Sequence, residues 1–140
     1  MSDRPDQLRE GNGKAPAHRD GPPRDEVPGR PRMEIVDLST VTGIVTAEAG
    51  RGASERAARS LFQASRLGAV LTALQAGASV HNDQPDEAAT IQGIQGECQV
   101  SLDGRDALLS PGTLIGLPPR VTWRLVARTD AVILLTVATG

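Results

Sequence analysis

The chain predicts an all-β fold, a closed barrel or sandwich of short strands, on three observations. Short runs rich in Val, Leu, Ile and Ala recur from about residue 67 to the C-terminus. Turn residues separate them at regular intervals. With one Phe, one Trp and no Tyr, the aliphatic side chains must fill the interior, and these pack well on pleated surfaces. At 140 residues the chain has room for one domain and not for two ordinary ones.

Residues Met1 to Arg32 hold six of the ten prolines, seven basic and six acidic side chains, and little that is large and apolar. Such a segment does not bury enough surface to offset the entropy of ordering it, so it is expected to be disordered, with His18 solvated. The folded domain is expected from Met33 to Gly140. Met33 to Leu38 and Val41 to Thr46 read as β-branched strands separated by Ser39-Thr40, covering an edge of the barrel. One helix is expected from Ser54 to about Ala64. Ser54 would cap it, and Ala57, Ala58, Leu61 and Phe62 recur at three- and four-residue spacing.

Beyond Arg66 the expected strands are Leu67 to Leu74, Ala88 to Ile94, Glu97 to Leu102, Thr113 to Leu117, Val121 to Ala127 and Ala131 to Ala138. Ala76-Gly77, Gly96, Asp103-Gly104 and Pro111-Gly112 supply turns between them. Asp103-Gly104 tolerates the positive φ angles of a tight hairpin. The last run, Ala131-Val-Ile-Leu-Leu-Thr-Val-Ala138, is apolar on both faces, as a strand covered on both sides should be.

Composition argues against several function classes. A formal net charge of −2 gives no field to gather nucleic acid or an anionic membrane, and no readable nucleic-acid module is present. No run approaches the roughly 18 apolar residues of a membrane span, and no signal-peptide core is seen, so the default expectation is a cytoplasmic protein. A single cysteine, Cys98, forms no internal disulfide and lacks zinc-site neighbours; it reads as a small buried apolar residue. There is no phosphate-binding loop and no Gly-x-Ser-x-Gly elbow. With histidine at positions 18 and 81 alone, nothing marks a catalytic triad.

Two stretches resemble the paired motifs of the cupin superfamily, in its small single-domain form. The first is Leu74-Gln-Ala-Gly77-Ala-Ser-Val-His81, continuing through Pro85 to Ile91-Gln-Gly-Ile-Gln-Gly96. The second is Leu109-Ser-Pro-Gly112-Thr-Leu-Ile-Gly-Leu-Pro118-Pro-Arg-Val-Thr-Trp123-Arg-Leu-Val-Ala127. The resemblance covers about residues 66 to 138 and implies a double-stranded β-helix, or jelly roll, that pairs as a homodimer. In metal-dependent members the first motif presents two histidines one residue apart and then a glutamate, and the second motif supplies a third histidine. His81 matches the first histidine, and Asp83 falls at the second. The glutamate position falls at Ala89 and the last histidine at Trp123, and neither of these binds a metal.

Three functional readings follow. The leading one is a non-catalytic small-molecule binding or regulatory module with no cofactor and no catalytic residue. It would bind a small molecule beside Trp123, with His81, Gln92 or Arg124 supplying polar contacts and Arg120 and Arg124 forming a basic rim. The alternative is a dioxygenase- or isomerase-type enzyme whose His81, Asp83 and Glu87 hold divalent iron, manganese, zinc or nickel, with Asp86 beside them. The third is a structural interaction protein whose barrel is plugged by Trp123.

Overall fold

The computed structural model describes residues 33–52, 55–82 and 86–139. The disorder expected of Met1 to Arg32 lies outside these residues. One helix and nine strands follow in order: α1 (Leu38–Arg51), β1 (Arg56–Gln63), β2 (Leu67–Leu74), β3 (Ser79–His81), β4 (Glu87–Gln95), β5 (Cys98–Leu102), β6 (Arg105–Leu109), β7 (Leu114–Leu117), β8 (Trp123–Ala127) and β9 (Ala131–Thr139). They form a five-stranded sheet, β1-β2-β9-β4-β7, and a four-stranded sheet, β3-β8-β5-β6, antiparallel at every pairing.

The two sheets face each other across the main core. Leu74, Ile91, Leu117 and Ile133 come from the larger sheet, and Cys98, Val100, Trp123 and Leu125 from the smaller. A second core lies on the outer face of the larger sheet, where Val45 and Ala49 of α1 pack on Leu71, Ala73 and Val132. Strand β9 serves both: Ala131 and Ile133 belong to the main core, and Val132 and Leu134 to the layer under the helix. This is why its sequence is apolar at consecutive positions rather than alternating.

The expected order of helix and strands in the first part of the domain is reversed. Residues 33–37 belong to no helix or strand, and Leu38–Arg51 is helical where a strand was expected over Val41 to Thr46. The decisive pattern is burial at Thr42, Val45 and Ala49, spaced three and four apart, which places one stripe on the sheet. Asp37 caps the helix: its carboxylate accepts from the Ser39 amide at 3.1 Å and from the Thr40 hydroxyl at 3.1 Å. Ser39-Thr40 is therefore the first turn of a helix and not a break between strands. The packing of this stripe overrides the modest helix propensity of the β-branched residues.

Conversely, the helix expected over Ser54 to Ala64 is the edge strand β1, paired along β2 from Arg56↔Leu74 to Gln63↔Gly68; Ser54 itself lies outside the described residues. A spacing of four is even, so Ala57 and Leu61 share a face in a strand as well as in a helix, and both pack on the second core. A bulge between Ser60 and Phe62 breaks the alternation that would have marked the strand. Arg59 of β1 pairs with Glu48 of α1 at 3.2 Å, an exposed contact of small energetic weight.

From β2 onward the expected strands are present. The Asp103-Gly104 hairpin is a two-residue turn with φ of 56° and 77°, closing the Leu102↔Arg105 pair. Two strands were not foreseen. Strand β3 is three residues long, and β6 is exposed at four of its five positions and carries no alternating signal.

Cys98 is buried in the main core as expected, and burial pushes its thiol up to about 11. A thiol raised on folding stays protonated in the native state after the unfolded chain has begun to lose its proton. Its contribution is complete below the ordinary thiol value of 9.0 and is lost as pH rises from there toward about 11, at a cost of about 2–3 kcal/mol. Lys14 is the sole lysine and tyrosine is absent, so few other side chains titrate in that window. Urea midpoints measured from pH 8 to 11 are expected to fall in the wild type and to stay nearly level in Cys98→Ala; parallel curves would contradict the assignment.

Candidate functional site

At one end of the main core the two sheets part around a cavity of about 250 Å³. Its apolar wall comes from Val80 of β3, Ala89 of β4, Trp123 of β8, and Leu135 and Val137 of β9. Its polar lining is His81, Asn82 and Glu87. Glu87 and Ala89 are two apart on β4 and so share the inward face. Trp123 is 4% exposed, with its ring in the wall.

The alternation of β3 decides what enters this space. Val80 packs on the main core and pairs with the fully buried Leu125, while His81 pairs with the exposed Arg124. His81 is itself exposed. It sits at the rim, bordering both the cavity and a second hollow formed with Glu55, Arg56 and Ser79. The next inward position is Asn82, which closes the cavity by tying β3 to β8. Its side-chain amide donates to the Val121 carbonyl at 2.8 Å, and its side-chain oxygen accepts from the Trp123 amide at 3.0 Å. Its own backbone amide donates to the Trp123 carbonyl at 3.4 Å. Asn82 was missed in the sequence, although the inward position of Trp123 implies a partner of the same parity on the neighbouring strand.

Of the residues singled out from sequence, His81, Glu87 and Trp123 come together. Gln92 does not: it alternates with Ile91 and Gly93 and lies on the opposite face of the sheet from the cavity, in register with Leu134 and Leu114. Arg124 alternates with the buried Trp123 and Leu125 and is exposed on the outer face of the smaller sheet. Arg120 is an exposed residue with a positive φ of 64° and takes no part in the lining. The expected basic rim is therefore not the wall of this cavity. Asp83 lies outside the described residues.

No family model matches this chain, and no curated protein matches it in sequence. Solved structures do match. An RmlC-like cupin from Shewanella frigidimarina superposes with a TM-score of 0.57 at 22% identity, covering 61% of this chain and 78% of that one. A cupin superfamily protein from Desulfitobacterium hafniense gives 0.57 at 17%, over 61% and 78% of the two chains. The fold is that of a cupin. Salicylate 1,2-dioxygenase from Pseudoaminobacter salicylatoxidans also matches this chain, with a TM-score of 0.60 at 19% identity. There 74% of this chain is covered and 32% of the longer one.

Among the described residues, the donor set of this chain does not fit a metal at the usual positions of the fold. Ala89 and Trp123, where the motifs would present glutamate and the last histidine, both line the cavity and offer no ligand atom. His81 stands on the exposed register of β3. Among the described residues, no three His, Cys, Asp or Glu side chains are grouped as a metal site. No described helix is long and apolar enough to cross a membrane.

Proposed function

We propose that this cupin is a small-molecule binding module whose ligand occupies the cavity beside Trp123 without a catalytic metal. The observation that supports it most is the pairing of Ala89 with Trp123. Together they exchange two ligand positions for an apolar wall, yet they leave about 250 Å³ open between the sheets. A barrel plugged for stability alone would place the ring so as to close that space, since interiors pack tightly. The size is modest, about the room of eight waters, and suits a compact molecule rather than an extended one.

Metal content tests the proposal. Protein purified without a histidine tag, as wild type and as His81→Ala, is exposed to iron, manganese, zinc and nickel and then measured by plasma mass spectrometry. Both forms are expected to hold far less than one metal per chain. Near-stoichiometric metal that disappears with His81 would overturn the reading in favour of a metal-dependent enzyme.

A further inference from the structure

Glu87 lines the cavity with a charge opposite to that of the basic rim expected from the sequence. It is half-buried at the start of β4, on the same face as Ala89, and among the described residues its carboxylate has no hydrogen-bond or ion-pair partner. Asn82 has both side-chain polar atoms committed to backbone groups, the Val121 carbonyl and the Trp123 amide. The Glu87 carboxylate is thus the charged group in the wall with acceptor capacity to spare, and among the described residues no Arg or Lys lines the cavity with it. Arg66 borders an adjoining hollow that shares Glu87 and Val137 but forms no ion pair with the carboxylate. Leaving a half-buried carboxylate unpaired costs free energy that a bound cation would offset. Trp123 adds the second element, because an indole face attracts a cation and its apolar surface accepts a hydrocarbon body.

We propose, resting on the binding function above, that the cavity selects small organic cations, a primary or quaternary ammonium on a compact apolar body, with the charge held between Glu87 and Trp123. An anion of the same shape would meet the carboxylate with no compensating base. A neutral analogue would fill the volume and leave Glu87 unpaired.

Three probes of nearly equal size separate these cases: phenethylammonium, 2-phenylethanol and phenylacetate, titrated at pH 8 against full-length protein and followed by Trp123 fluorescence. The cation is expected to bind at least about tenfold more tightly than the alcohol, with phenylacetate weakest, as a charge-assisted hydrogen bond would give. In Glu87→Gln, of nearly the same shape, that preference should vanish while the affinity for 2-phenylethanol is kept; melting temperature checks that the variant is folded. Equal affinities for all three, a preference for phenylacetate, or a preference unchanged in Glu87→Gln would overturn the charge assignment and leave the binding module standing. Failure of all three to bind would overturn both.

Discussion

Replacing Gly96 with alanine is expected to destabilise the domain by about 3–4 kcal/mol, whereas the same change at Gly104 should cost only about 1 kcal/mol. The two glycines share a left-handed backbone, with φ of 71° and 77°, so the conformational penalty is common to both and partly offset by the lower entropy of the unfolded chain. Their surroundings differ. A Cβ at Gly104 meets nothing within 4 Å. At Gly96 it would stand 2.1 Å from the Asp130 carbonyl oxygen and 2.9 Å from the Ala131 Cα.

That backbone has little freedom to withdraw. The Asp130 carboxylate accepts from the Ala76 amide at 2.9 Å, the Thr129 hydroxyl accepts from the Glu97 amide at 3.0 Å, and the Arg128 amide donates to the Glu97 carbonyl at 2.8 Å. Overpacking against a fixed backbone adds about 1–3 kcal/mol. Urea unfolding of the two variants measures the difference. Equal losses would mean that the approach of the β4–β5 turn to the Asp130 loop does not constrain the fold.

Where local pattern and tertiary packing agree, the sequence was sufficient. Asp103-Gly104 and Pro111-Gly112 marked turns because their backbone conformations demand those residues. The double-sided apolar run of β9 marked a strand between two packed layers. Pattern failed where one spacing serves two periods. Ala57 and Leu61 satisfy a helix and a strand equally, and the bulge at Ser60–Phe62 removed the alternation that would have separated them. In Leu38–Arg51 the β-branched content pointed to a strand. Asp37 as cap and the Thr42, Val45, Ala49 stripe carried the helical signal, and the sheet beneath supplies the packing.

The site was legible in its position more than in its polarity. Trp123 and Ala89 were located by motif spacing, and both line the cavity. Parity sets the roles of its polar residues: by the register of the short strand β3, which only its pairing with β8 reveals, His81 lies opposite Arg124 at the rim of the cavity, and Asn82 lies opposite Trp123. Gln92 is placed away from the cavity by parity, being one residue out of phase with Ala89 and Ile91. The consequence is chemical, since the basic residues expected at the rim stand outside and an acidic one lines the wall.

The most direct test of the central claim is occlusion of the cavity. Ala89 is 8% exposed and faces the open volume beside Trp123, so Ala89→Leu should fill that volume with little change in stability while removing the ligand's place. The chain's single tryptophan lines the same space and tyrosine is absent, so fluorescence excited at the indole reads this site alone. Titration with 2-phenylethanol is expected to change the wild-type signal saturably, and Ala89→Leu should weaken binding by about 10- to 100-fold, the equivalent of 1–3 kcal/mol of overpacking. An unsaturable response in the wild type, or equal affinity in the two proteins, would contradict the account.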